Sequence, residues 1–383
     1  MPRLMGPKQA QPPPTGAGGS LARLPLSALL SRVLVAFTIE LDNAFEERMP
    51  HRTTRPTGAG RARGGPWLGS LLLWSNALQF IEEDGITAGE LQRRARTERL
   101  LLEKLERWGY VVVEAGASGG PRRRRADEVV RPTAAGRKAQ DVWRPLPALI
   151  EKRWQTRFGK DAVDGLRTSL GAIVGRLDTE FPDYLPVVGY GLFTETFDGA
   201  GPKTTGRGAA AALSLELPAL LSKVLLALTL DFERGWPLSL PLSANVLRLL
   251  TAEGVSVKTL PQKSGVSKEA IETSLSFLVK RGLVALGAHA TDGRTRVARL
   301  TPKGMAEQQA FHQRLRAVEE GLEERFGPDA VQALRASLEP FVPALLFLGM
   351  EPHPGGWRAS VPKPEALPHH PMVLHRGGFP DGA

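Results

Sequence analysis

The residues of this 383-residue chain that could do chemistry narrow the field mainly by what is missing. There is no cysteine, so thiolate nucleophiles, disulfides and Cys-based zinc or iron–sulfur sites are excluded. His51, His289, His312 and His353 stand apart, while His369, His370 and His375 cluster in PEALPHHPMVLHRGGFPDGA. Three imidazoles make a metal site only when held rigidly. This stretch is rich in Pro and Gly, so no metal is expected. The paired acids Glu319-Glu320 and Glu323-Glu324 fall on a helical pattern and read as a solvated face. No Walker or Rossmann glycine pattern occurs. The chain therefore reads as a non-enzyme without a cofactor.

What remains is cationic chemistry. Net charge is +10 and the isoelectric point is near 10.1, and the charge is clustered. Arg93, Arg94, Arg96 and Arg99 form one group, and Arg122, Arg123, Arg124 and Arg125 another. Grouped guanidinium ions suit a polyanion. The N-terminal segment is Pro/Gly-rich with no apolar signal core. The apolar runs 26–41 and 217–230 carry Arg32, Glu40 and Lys223, and read as amphipathic helices rather than membrane spans. A cytoplasmic protein with no membrane partner is the expectation.

The elements that must position those arginines are written twice. RFGKDAVDGLRTSL (157–170) and RFGPDAVQALRASL (325–338) share ten of fourteen residues at an offset of 168. ALLSRVLVAFTIELD (28–42) matches ALLSKVLLALTLDFE (219–233) at eight of fifteen, offset 191. NALQFIEEDGITAGEL (76–91), LERWGYVV (105–112) and VVRPTAAG (129–136) find partners beginning at 245, 278 and 297. Five blocks in one order mean a duplicated domain. The organisation reads as a disordered segment 1–20, a domain 21–190, a linker 191–212, a second domain 213–350, and a Pro/Gly-rich tail 351–383 that packs back on the helices. The first copy carries an Arg/Gly/Pro insertion after its first helix and is four residues short across its turn.

The second copy is the clearer. A helical apolar pattern spans Ala244–Ala252, and Val255–Lys263 reads as a short helix before the Gly265 turn. Ser267 is a good N-cap for KEAIETSLSFLVKR, with Ile271, Leu275 and Leu278 on one face and Gly282 as its stop. Leu283–Leu286 and Arg296–Leu300 read as strands joined through Asp292-Gly293, and a long helix is predicted over Met305–Arg325. Helix, turn, helix and β-hairpin make a winged helix-turn-helix.

GVSKEAIETSLSFLVKRGLV followed by DGRTRVARLTPKG resembles the MarR family of bacterial transcription regulators, and the likeness extends over both copies, weaker in the first. It implies a mainly α fold with small β-hairpin wings, as two tandem winged helix-turn-helix domains forming an intrachain pseudo-dimer. It also implies double-stranded DNA as partner and a small hydrophobic effector between helices and reading heads. Trp74, Trp108, Trp143 and Trp154 are candidates to line such a cleft. Lys263, Ser267, Lys268 and Thr273 would face DNA, with Arg294 and Arg296 on the wing. Arg93, Arg94, Arg96, Arg99 and Arg122–Arg125 are their counterparts in the first copy. Phe158, Val163, Leu166 and Leu170 would meet Phe326, Val331, Leu334 and Leu338 across the pseudo-dimer, giving a monomer with an internal two-fold. Glu269 and Glu272 depart from the family pattern, because acids on a reading helix repel phosphate. A winged-helix protein-interaction module without sequence-specific readout is the alternative.

Overall fold

The computed structural model describes residues 24–49, 74–95, 99–115, 126–184, 208–288, 295–343, 345 and 364–372. The expected disordered segment 1–20 lies outside them, as do the insertion after the first helix, most of the expected linker and most of the tail. The first half runs α1 (Leu26–Arg48), α2 (Ser75–Leu78), β1 (Ile86–Thr87), α3 (Ala88–Ala95), α4 (Arg99–Arg107), β2 (Val111–Glu114) and β3 (Val129–Pro132). It continues with α5 (Ala134–Trp143), α6 (Leu146–Phe158) and α7 (Lys160–Val174). A single turn, α8 (Ala209–Ala212), leads into the second half: α9 (Leu217–Glu233), α10 (Leu240–Leu247), β4 (Val255–Ser256), α11 (Leu260–Ser264) and α12 (Lys268–Lys280). Then come β5 (Val284–Ala288), β6 (Arg296–Leu300), α13 (Pro302–Phe326) and α14 (Pro328–Leu338). The protein is mainly helical with two small antiparallel three-stranded sheets, ordered β1-β3-β2 and β4-β6-β5.

Several local readings change. Val255–Ser256 is a strand rather than part of a helix. It pairs with β6 through Val255–Ala298 and Ser256–Val297, and only Val257 onward turns helical. Two residues are too few for periodicity to reveal. The apolar helix before it is α10, four residues earlier than expected, because Pro241 sits well in a first turn. α13 likewise starts early, at Pro302, with the Thr301 hydroxyl accepting from Gly304 N–H. Its counterpart in the first half is two helices, since Pro145 has no N–H to donate and ends the ladder after Trp143. α1 and α9 are not amphipathic: they are buried on all sides, because each is enclosed by helices of both halves.

The two halves repeat one another down to single bonds. Gly136 and Gly304 start α5 and α13 where a Cβ would fall 2.1 Å from the Tyr110 carbonyl oxygen and 1.9 Å from that of Leu283. The Gln140 amide donates to the Leu78 and Ile81 carbonyls, as Gln308 does to Leu247 and Leu250. α1 packs on α9 and α7 on α14, while α9 also touches α7 and α1 touches α14. Arg167 pairs with Glu151 at 2.9 Å and donates to the Leu215 carbonyl at 2.7 Å, just before α9. Arg335 pairs with Glu319 at 2.6 Å and donates to the Leu24 carbonyl at 2.7 Å, just before α1. Each arginine thus ties the end of one half to the lead-in of the other. Glu40, inside α1, is held by Trp154 Nε1 at 2.8 Å and Arg157 at 3.0 Å.

Each half also ends in a trailing segment that clasps its own small helices to the other half's first helix. After α7, Tyr184 donates to the Arg94 carbonyl and Asp183 pairs with Lys223 of α9 at 2.6 Å. After α14, residues 364–372 lie over α10–α12. Asn245 Oδ1 accepts from His369 N–H at 2.8 Å and His370 N–H at 3.2 Å, and its amide donates to the His370 carbonyl at 2.7 Å. Arg32 of α1 meets the His369 ring at 3.4 Å. Gly265, at φ 78°, passes under the Ala366 carbonyl, where a Cβ would come within 2.1 Å.

Candidate nucleic-acid interface

α12 is set by its ends and its inner face. The Ser267 hydroxyl accepts from Ala270 N–H at 3.1 Å, so that side chain is spent as a cap. Ala270, Ile271, Ser274, Leu275 and Leu278 are buried, which turns Lys268, Glu269 and Ser276 outward. Lys263, at the end of α11, is exposed too, and neither it nor Lys268 has an ion-pair partner among the described residues. Thr273 is half-buried, and its hydroxyl donates to the Glu269 carbonyl one turn back at 3.0 Å. Arg296, at the start of β6, is exposed and pairs with Glu272 of α12 at 2.6 Å. One surface therefore collects Lys263, Lys268 and Arg296, with Glu269 and Glu272 among them.

In the first half Arg93 and Arg94 lie exposed on the last turn of α3, and both are bonded to Glu90, each at 2.6 Å. The Arg93 and Arg94 hydrogen bonds hold the Glu90 carboxyl below its usual range. Arg99 opens α4, but its side chain is outside the described residues. So are Arg96, Arg122, Arg123, Arg124, Arg125 and Arg294 in full.

What the residue-type reading missed is that acids pair with these arginines, Glu90 with Arg93 and Arg94 and Glu272 with Arg296. Glu90 stands three and four positions before Arg93 and Arg94, a spacing that signals helical pairing. The Glu272–Arg296 pair joins a helix to a strand, and nothing local announces it.

Of the apolar set, Val163, Leu166 and Leu170 on α7 and Val331, Leu334 and Leu338 on α14 are buried where those helices meet. Phe326 is buried and Phe158 half-buried, the latter 4.9 Å from the Phe341 ring across the halves.

The four tryptophans fall in three different settings. Trp74 and Trp108 meet edge to face at 4.8 Å, and Trp154 stacks in the core 5.6 Å from Phe341. Trp143 lines a cleft of about 180 Å³, mixed in polarity, with Ser75, Asn76, Gln79, Asp183, Tyr184 and residues 214–216. Burial, then Glu151, lifts the Glu216 carboxyl there to about 6. His369 and His370 serve packing: burial lowers His370 to about 4, and its ring meets the Thr229 hydroxyl at 2.9 Å. Among the described residues no group of three or more His, Asp or Glu could hold a metal, and no helix is long and apolar enough to cross a membrane. Comparison with known family models gives no match, and comparison with curated proteins gives none either.

Proposed function

We propose that the chain is a DNA-binding transcription regulator of the MarR type, acting in the cytoplasm as a monomer whose halves form an internal pseudo-dimer of winged helix-turn-helix domains. The observation that carries this reading is the repetition in each half of two helices followed by an antiparallel strand pair, around α7 and α14 packed on each other. Two heads at fixed spacing suit two successive turns of duplex. Lys263, Lys268 and Arg296 supply phosphate contacts on the second head, and Arg93, Arg94, Arg96, Arg99 and Arg122–Arg125 on the first. The heads differ, so the favoured site is not a palindrome.

Duplex affinity measured against salt tests this. A regulator loses affinity steeply as salt rises, in proportion to the phosphates it neutralises, and keeps a sequence preference over competitor DNA. Replacing Arg122–Arg125 by Ala flattens the slope. Absence of binding at low salt ends the proposal, and an obligate dimer in light scattering ends the pseudo-dimer.

A second reading, a protein-interaction module without DNA readout, is favoured by one observation. Arg93 and Arg94 share the Glu90 carboxylate, and Arg296 is matched by Glu272.

A further inference from the structure

The duplication offers an internal control: a charge balanced in one half can be compared with the same place in the other. In the segment after α7, the first clasp, Asp183 pairs with Lys223 of α9 at 2.6 Å. Gln79, which is neutral, lines the same cleft as Asp183. One cation meets one carboxylate there, and the charges cancel. In the second clasp the cation aligned with Lys223 is Arg32 of α1, and it meets the His369 ring at 3.4 Å. Arg248, aligned with Gln79, adds a second cation.

The fold brings these groups to one place. Asn245 Oδ1 accepts from His369 N–H at 2.8 Å, and Arg248 follows at the C-cap of the same helix, α10. The Arg248 Nη2 leans on the Lys263 and Ser264 carbonyls at 3.4 Å each. Burial and Arg32 lower Arg248 to about 10, and Arg248 and Arg32 both help to hold His369 down, which requires the three to be close. Neither arginine pairs with a carboxylate among the described residues. Both are half-buried. Their Nε atoms are enclosed without a partner, so contact with a ligand falls to the outer Nη groups. Two neighbouring guanidinium ions removed from water without a counter-charge are costly.

We propose that Arg32, Arg248 and the His369 ring form a binding site for a small dianionic oxyanion of the phosphate class, seated where the second clasp meets α1. A carboxylate offsets only one of the two charges. A phosphate group carries nearly two at neutral pH, and guanidinium forks take its oxygens two bonds at a time. The ligand ties α1 of one half to α10 and the clasp of the other. This inference is independent of DNA binding and holds or fails without it.

The probe is inorganic phosphate, added to the full chain at pH 7 and constant ionic strength. The His369 ring signals are followed by NMR and assigned by His369→Gln. The expected result is a saturable shift, weakened about tenfold in Arg32→Met and in Arg248→Met. Arg32→Lys, which keeps the charge, guards against a Met variant that fails to fold and retains part of the affinity. Phosphate should raise the unfolding temperature of the wild type and leave that of the Met variants unchanged. In phosphate-free buffer the Met variants should be at least as stable as the wild type, since an uncompensated charge is gone. Lower stability there would show that the protein alone satisfies these arginines, and would overturn the premise. Unchanged affinity in both folded Met variants overturns the assignment to Arg32 and Arg248. Equal binding of acetate overturns the dianion, and displacement of phosphate by duplex DNA overturns the small-ligand reading. No saturable shift up to about 100 mM phosphate overturns the site.

Discussion

Removing the guanidinium of Arg335 while keeping its apolar stem, by Arg335→Met, tests whether the halves are tied as the geometry indicates. The group is 5% exposed, pairs with Glu319 at 2.6 Å and donates to the Leu24 carbonyl at 2.7 Å. Stripping one partner from a buried ion pair costs about 3–5 kcal/mol. Glu319 remains 23% exposed, so water relieves part of the stranded charge, and a loss of about 2–3 kcal/mol is expected. Arg167→Met removes the equivalent tie and should cost a similar amount, about 2–3 kcal/mol, because Arg167 is more exposed than Arg335 at 20% but the stranded Glu151 is less exposed than Glu319 at 16%. Adding Glu319→Gln to Arg335→Met should recover about half the loss, because the amide keeps an acceptor for Leu26 N–H without stranding a charge. Urea unfolding followed by tryptophan fluorescence and circular dichroism gives the midpoint and slope, and coincidence of the two probes licenses a free energy. Burial already raises the Glu151 carboxyl against the pull of Arg167. Without Arg167 it rises further, so the Arg167→Met deficit should narrow as pH falls from 7 to 5. Losses under about 0.5 kcal/mol in both single variants would refute the idea that these arginines fasten one half to the other.

Three further outcomes follow from the same structure. Gly304→Ala places a Cβ 1.9 Å from the Leu283 carbonyl oxygen, so thermal unfolding should show a loss of about 2–3 kcal/mol, despite the better helix propensity of Ala. His370 is held neutral by burial at about 4 against an ordinary 6.5. Its contribution is complete above pH 6.5 and is lost as pH falls towards 4, about 2 kcal/mol at pH 5. Amide exchange corrected for pH should show residues 364–372 losing protection over that window, and a His370→Phe chain losing less of it, the remainder coming from His369. Glu272→Gln frees Arg296, so duplex affinity should rise and the salt slope steepen by about one; unchanged binding favours the protein-interaction reading.

The duplication and most of its elements were legible because they rest on local rules. Ser267 and Thr301 cap the helices they precede, and the Ile271, Leu275 and Leu278 stripe is buried. What escaped was decided at long range. β1 and β4 are two-residue strands made by β3 and β6 rather than by their own pattern. The charges within α1 and α9 suggested a solvated face. Instead, Glu40 finds Trp154 and Arg157, and Lys223 finds Asp183, all supplied by segments more than 35 residues away. The basic groups were visible as residue types and the Glu90 pairing as a helical spacing, but the pairing of Arg296 with Glu272 shows only in three dimensions.

A duplicated pair need not keep both copies under the same constraint, and the trailing segments show where these two part. Lys223 and Arg32 hold aligned positions in α9 and α1. Lys223 takes the Asp183 carboxylate, whereas Arg32 meets the neutral His369 ring. Beside it stands Arg248, aligned with Gln79, and burial and Arg32 together lower Arg248 to about 10. The Nε atoms of Arg32 and Arg248 are both buried without a partner. Two guanidinium groups so placed resist any further positive charge, and desolvation with Arg248, Arg32 and His312 holds His369 down to about 2. The second clasp is therefore fastened by a peptide backbone on Asn245 and kept free of protons, and the first by an ion pair beside an open cleft. Acid should then loosen the second clasp before the first. Exchange of residues 177–184 compared with 364–372 between pH 7 and pH 5 reads that order, and simultaneous loosening would mean that the clasps are not independent.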